Sequence, residues 1–323
     1  MSGNPIRRLI GRREVSLALA CLSAAGIFRG FSPYFLTATN LTTILQNSVE
    51  LLLISLGISF ILATAGIDIA VGGVLGISAI FIGWSVEAGW PLSTTVLLGP
   101  VAGTCLGMVS GFMIVVGKVP PIIATLGLFG VYRAAMFLLL GGSWISGLPN
   151  TLAPLVNSAI FGVPVVAVYV LAFYLVGWLI LRWFPLGTAV LAVGGNERAA
   201  QLAGVAVGRS KFFVYGMTGF LVGFAALLYV ARYRNVETST GETVALDAIV
   251  AAVIGGSSVL GGQANLVGTM LGVVLVRLLQ NGFVLAGVPS LWEQVITGSL
   301  LLLVLILDAA VKRSARLKPV SVL

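Results

Sequence analysis

Residues Gly187 to Lys211 read GTAVLAVGGNERAAQLAGVAVGRSK, between VPVVAVYVLAFYLVGWLILRW at 163–183 and KFFVYGMTGFLVGFAALLYVA at 211–231. Each flank supplies the roughly 20 apolar residues that a helix needs to cross the hydrocarbon core of a bilayer. The stretch between them is the longest charged and polar segment that separates two such runs. Its middle, Asn196-Glu197-Arg198-Ala199-Ala200-Gln201-Leu202-Ala203-Gly204, reads as one short amphipathic helix. Asn196 can act as N-cap, Glu197 sits in the first turn where the helix dipole favours an anion, and Gly204 supplies the stop. A chain of long apolar spans that sets one small helix in water is an all-α, polytopic membrane protein, and such an element speaks to a partner.

Composition extends this reading to the whole chain. Of 323 residues, 59% are hydrophobic and only 9% charged, against about 25% charged in a soluble domain. The mean hydropathy is +1.10. The length allows roughly eight to eleven helical spans. The apolar runs are continuous rather than alternating, which excludes a β-barrel. The net charge of +8 comes from basic residues at the ends of spans and does not indicate nucleic acid. Cys21 and Cys105 lie inside apolar runs and read as buried free thiols. His is absent, which removes the commonest proton relay and metal ligand. Arg7, Arg8, Arg12 and Arg13 precede an apolar run with no evident cleavage site, so that run reads as an uncleaved first span.

Apolar windows fall at about 15–35, 44–65, 71–87, 94–117, 121–140, 163–183, 211–231, 245–260, 264–285 and 291–309, which makes about ten transmembrane helices in one domain over 1–323. Glycine interrupts two of them, at Gly66-Ile67-Asp68 to Gly72-Gly73 and at Gly255-Gly256-Ser257-Ser258 to Gly261-Gly262. Paired interruptions of this kind suggest an inverted repeat with broken helices. An even number of spans puts both termini on one side. Thirteen Lys and Arg residues then gather on that side, against Arg29, Arg232 and Arg234 on the other, so the termini and the 187–211 loop are expected to be cytoplasmic. The longest outer loop is the charge-free 141–162, and a second outer segment, 232–247, carries Arg232, Arg234, Glu237, Glu242 and Asp247. Gly99, Gly103, Gly107 and Gly111 recur every four residues and mark a helix–helix contact, as do Gly219 with Gly223 and Gly268 with Gly272.

Ionisable residues in or near spans must face protein, a wet cavity or the interface, because a charge at the bilayer centre costs at least ~3 kcal/mol. By position Glu50, Glu87, Glu293 and Asp308 read as terminal. Arg133 and Arg277 are deeper and read as paired with carboxylates or carbonyls, and Asp68 divides between turn capping and a pathway role. No Ser/His/Asp set is possible without His, and neither Cys is part of a metal-spaced pair. No G-x-x-x-x-G-K-[ST] loop occurs, so the chain cannot by itself bind and hydrolyse ATP in the usual way. A transporter or channel remains, with its engine on another chain.

Four segments then resemble the permease subunits of ribose-type ABC importers. Gly66-Ile67-Asp68-Ile69-Ala70-Val71-Gly72-Gly73 is similar to their GIDLSVGS signature, and Val119 through Gly127 to their PPFIVTLG segment. Gly187 through Gly204 resembles their G-x7-GGNPEAARLAG loop, and Ala251 through Thr269 their AAVVIGGTSLxGGxGxxxGT run. Departures are Ala70 for a usual Ser, Glu197 for a frequent Pro, and Gln263-Ala264-Asn265 ahead of Gly268.

The resemblance implies a bacterial inner-membrane subunit that is not itself an enzyme. Its partners would be an ABC ATPase, a second permease subunit, a periplasmic substrate-binding protein and membrane lipid. No cofactor is expected on this chain, since ATP and Mg belong to the ATPase. Residues 195–204 would be the coupling helix, with Gly195, Asn196, Glu197, Arg198, Ala199, Ala200, Leu202 and Gly204 as coupling residues and Ala199, Ala200, Leu202 and Ala203 as a small apolar contact face. Asn47, Asp68, Thr125 and Asn281 are the expected residues of the substrate path. Gly141 through Pro149 resembles the GGKWIEGLP stretch of autoinducer-2 and rhamnose-type permeases, which adds Trp144. The expected cargo is a monosaccharide, with the autoinducer-2 signal second. A branched-chain amino-acid permease and an ion-coupled secondary transporter are the alternatives.

Overall fold

The computed structural model describes residues 13–289, together with Trp292, Val295, Gly298, Ser299 and Leu302. Helix α1 spans Arg13–Phe31, α2 Ala38–Ala63, α3 Val71–Glu87, α4 Leu92–Val115 and α5 Pro121–Leu140. A short α6, Pro154–Asn157, and a two-stranded hairpin of Ala159–Ile160 with Val163–Pro164 follow. Then come α7 (Val165–Trp183), α8 (Pro185–Gly195), α9 (Glu197–Leu202), α10 (Val207–Tyr233), α11 (Val244–Ile254) and α12 (Leu266–Leu285).

Nine of the ten apolar windows are helices, and most of the tenth, 291–309, lies outside the described residues, Glu293 and Asp308 included. Among the described residues seven helices are long and apolar enough to cross a membrane, fewer than the ten windows suggested. The windows at 71–87 and 245–260 yield shorter helices of 17 and 11 residues, each bounded by one of the glycine interruptions. A third short apolar helix, α8, occupies the first half of the stretch read as a polar loop. Its Gly187, Val190, Val193 and Gly194 are buried, so this half packs one face against the bundle, and the run of exposed residues starts at Gly195.

Helices α2 and α10 are buried along most of their length and form the centre, whereas α1, α5 and α7 bury one stripe each and surround it. The glycines of α4 meet those of α10 backbone to backbone: a Cβ on Gly99 would stand 2.6 Å from the Gly223 carbonyl oxygen, and one on Gly107 2.9 Å from the Gly219 Cα. Several polar groups in this apolar setting find partners on neighbouring helices, as hydrocarbon favours. Ser59 and Thr269 hydroxyls meet at 2.8 Å, Tyr174 donates to the Leu52 carbonyl at 3.1 Å, and Thr218 to that of Gly57 at 3.2 Å. Cys105, expected inside, is exposed on the outside of the bundle.

The 141–164 segment folds back on residues 234–236 through an isolated bridge. Ile145 and Val236 exchange backbone hydrogen bonds of 3.0 and 2.9 Å, and Arg234 Nε donates to the Leu148 carbonyl at 2.5 Å. The charged 232–247 segment is therefore anchored rather than free. Arg133 donates to the Thr238 carbonyl at 2.7 Å and pairs with Glu242 at 3.4 Å, the kind of pairing its depth called for.

Candidate functional site

Helices α2, α3, α10, α11 and α12 and one connection line a partly open polar cavity of about 540 Å³. Helix α2 contributes Asn47 and Glu50, α10 Tyr229 and Tyr233, α11 Asp247, and α12 Arg277, Gln280 and Asn281; the connection before α11 adds Ser239 to Thr243. Helices α2, α10 and α12 present these groups at spacings of three or four residues, which places them on one face of each. Asn40 and Asn281 exchange amide hydrogen bonds at 2.9 and 3.1 Å and clamp α2 to α12. Arg277 Nη1 donates to Gln280 Oε1 at 2.7 Å, and Gln280 Nε2 lies 3.5 Å from Asp247 Oδ2. Arg232 reaches the Gln46 carbonyl and Asn47 Oδ1, lies 3.5 Å from Glu50, and stacks its guanidinium 4.4 Å from the Tyr233 ring centroid. The buried Arg277 Nε has no hydrogen-bond partner.

This lining is rich in planar side chains that donate or accept two hydrogen bonds at once: carboxylates, amides and one guanidinium. Adjacent hydroxyls of a polyhydroxylated molecule match such pairs, and tyrosine rings cover its C–H faces. The volume lies within the usual range for small-ligand sites. A second recess of about 740 Å³ between α4 and α10 is lined by Met108, Phe212, Phe213 and Phe220, and offers almost no polar handle.

Of the expected path residues, Asn47 and Asn281 line the cavity; Asp68, Thr125 and Trp144 do not. Asp68 is 2% exposed, and its Oδ1 accepts the Ala70 N–H at 2.8 Å, so it holds the turn that starts α3. Thr125 is fully buried and donates to the Ile67 carbonyl at 3.2 Å, fixing the same turn from α5. Trp144 is exposed on the segment after α5. Glu50, read as terminal, is instead the thirteenth residue of α2, because Thr37 caps that helix well before the apolar window begins. Arg277 has its hydrogen-bond partner, but as part of a cavity wall. The overlooked signal was the spacing: Asn47 with Glu50, Tyr229 with Tyr233, and Arg277 with Gln280 and Asn281 are polar stripes on otherwise apolar helices.

At the far end of the bundle stands α9. Asn196 Oδ1 accepts the Ala199 N–H at 3.0 Å, and Gly204 takes φ +84 to end the helix. Glu197 pairs with Lys211 at 2.7 Å, tying the helix to the start of α10. Ala200 is buried, which removes it from the expected contact face; Arg198, Ala199, Ala203 and Gly204 are exposed, and Leu202 is 85% exposed. Gly195 opens onto free space.

A multi-pass helical bundle that holds a polar cavity of solute size is a membrane permease. Residues 40–305 match the family described as the branched-chain amino acid transport system permease component, and the chain belongs to that family. It is 34% identical to the autoinducer 2 import system permease protein LsrC of Enterobacter sp. (strain 638), over 96% of this chain and 90% of that one. It is 33% identical to LsrC of Klebsiella pneumoniae subsp. pneumoniae, with the same coverage. To the ribose import permease protein RbsC of Bacillus subtilis (strain 168) it is 34% identical, over 88% of each. No solved structure matches the chain. These relatives agree with the ribose-type resemblance carried by the four motifs, and the chain is a transporter subunit of the carbohydrate ABC type. The family description and the relatives name three different cargoes, so membership fixes the class of protein and leaves the solute to the cavity.

Proposed function

We propose that this chain forms the translocation path of a bacterial inner-membrane ABC importer for a monosaccharide or sugar-like solute of the ribose or rhamnose type. The observation that carries this reading is the cavity lining of Asn47, Glu50, Asp247, Arg277, Gln280 and Asn281. A branched aliphatic side chain seated against them would offer no donor or acceptor in exchange for the hydrogen bonds they make with one another. A polyol offers both. The autoinducer-2 signal is the second reading, supported by the LsrC relatives and by the GGSWISGLP string around Trp144.

Energy comes from a separate ATPase that carries ATP and Mg, because the sequence has no phosphate loop of its own. Helix α9 is the coupling helix in this reading, with Leu202 seated in a groove of the ATPase and both chain termini on the same cytoplasmic side. A binding protein delivers solute at the opposite face, near the 141–164 segment, and a second permease subunit completes the assembly. Closure of the ATPase rocks the bundle, and the cavity then alternates between the two faces. Affinity resides in the binding protein, so the cavity holds its solute loosely and briefly.

Proteoliposomes holding permease, ATPase and binding protein test the proposal with labelled ribose, rhamnose, autoinducer-2 and leucine. ATP-dependent uptake of one of the first three is expected. Selective uptake of leucine would overturn the cargo. Uptake by the permease alone, driven by an ion gradient, would overturn the mechanism.

A further inference from the structure

We propose that Gly194 is the positioning residue through which movement of α9 reaches the walls of the polar cavity, an inference that rests on the reading of α9 as the ATPase-docking element. Gly194 is buried one residue before the end of α8, and the Asn196 N–H bonds back to the Ala192 carbonyl at 3.1 Å, so α9 continues from α8 with little slack. Three segments meet at this point. A Cβ on Gly194 would overlap the Ala63 carbonyl oxygen and stand 2.6 Å from the Gly262 nitrogen. Gly262 N–H in turn donates to the Ala63 carbonyl at 3.0 Å. A Cβ on Gly261 would stand 2.8 Å from the Gly194 Cα and from the Ala65 Cβ.

Ala63 is the last residue of α2, and Gly261-Gly262 lie in the connection from α11 to α12. Those three helices carry Asn47, Glu50, Asp247, Arg277 and Gln280 along the cavity. The end of α2 and the connection that joins α11 to α12 therefore meet on one glycine of α8. The contact is backbone on backbone, and no side chain intervenes that could change rotamer and absorb a displacement. Packed groups of this kind transmit small shifts instead of deforming. Gly195, the very next residue, has open space where its Cβ would be, so the two adjacent glycines divide the work. Gly194 faces the bundle, and Gly195 faces the partner.

The test uses the complete complex of permease, ATPase and binding protein in proteoliposomes. Gly194→Ala wedges the junction: the ATPase still co-purifies and hydrolyses ATP within about twofold of wild type, while uptake per ATP falls at least tenfold. Gly26→Ala, on α1 with open space where its Cβ would be, leaves the ratio unchanged. A wild-type ratio in Gly194→Ala overturns the proposal. Should Gly194→Ala fail to assemble, backbone hydrogen exchange on the wild-type complex decides the matter, because the Gly262 N–H donates to the Ala63 carbonyl at 3.0 Å across this junction. A junction that moves as one body keeps that amide protected with ATP bound and without it. Loss of its protection in one of the two states would show that the segments slide past each other, and would sink the hand-off. Docking is read separately, because wild-type ATPase retention by Leu202→Asp would remove the docking reading and leave the junction result standing.

Discussion

Asp68 and Asp247 are both buried acids beside a glycine-interrupted helix, and they do different things. Asp68 spends its carboxylate on its own chain, accepting the Ala70 N–H at the start of α3. Asp247 lies on the first turn of α11 and faces a cavity shared with Arg277 and Gln280 from another helix. A carboxylate buried against adjacent backbone donors and away from the cavity cannot meet a solute there. One that meets side chains of other helices across a void can exchange those partners for hydroxyls. The difference lies in where the partners come from, and burial alone does not reveal it.

The strongest way to break this comparison is Arg277→Ala. Its guanidinium is the charged donor of the cavity wall, and hydrogen bonds to charged groups contribute ~1.5–3 kcal/mol. Uptake at sub-saturating solute should fall roughly 10- to 100-fold. The melting temperature of the purified permease should shift only by about 3 °C, or ~1 kcal/mol in a chain of this size. A large melting shift with uptake per folded molecule intact would make Arg277 a structural strut.

Asp68 should behave in the opposite manner. Asp68→Ala strands buried backbone donors and should destabilise the protein by ~1–3 kcal/mol, read as lowered thermal stability in detergent. Asp68→Asn restores a capping acceptor and should return both stability and uptake, since Asn and Asp cap about equally well. Loss of uptake in a stable Asp68→Asn protein would show that its charge is used, and would erase the distinction from Asp247.

The same logic separates neighbours on α9. Leu202 is exposed and Ala200 is buried two residues earlier. Leu202→Asp should reduce ATPase retention on affinity-purified permease about tenfold, the ~1.5 kcal/mol expected from unseating one apolar side chain. Ala200→Asp buries a charge against the bundle and should lower thermal stability first. Equal retention in both variants would mean that the exposed face of α9 docks nothing.

Much of this architecture was legible from residue pattern alone. Nine of the apolar windows became helices. The Asn196 cap and Gly204 stop bounded α9, and the glycine stripe of α4 met glycines of α10 as its spacing implied. The cavity was less legible because its polar residues are scattered over four helices, and only the polar partner at i+3, Glu50, tells Asn47, which faces the void, from Thr125, which faces a turn. Hydropathy misled at two places for one reason. It averages over a window, so the polar first turns of α2 hid the central position of Glu50, and the polar tail of 187–211 hid an apolar helix at its head.

Trp144 gives the smallest effect and the sharpest limit on the comparison. It is 69% exposed on the segment that Ile145 pins to Val236, and it does not line the cavity. An indole in that setting anchors at the membrane–water interface, where its ring is apolar and its N–H is wet. Trp144→Phe should therefore leave uptake unchanged, and Trp144→Ala should lower it by no more than about twofold, under 0.5 kcal/mol. The informative measurement is competition between ribose and autoinducer-2 in the Trp144→Ala protein. An unchanged preference leaves selection to Asp247, Arg277 and their neighbours, whereas a preference that reverses would move it to the face where the binding protein delivers its load.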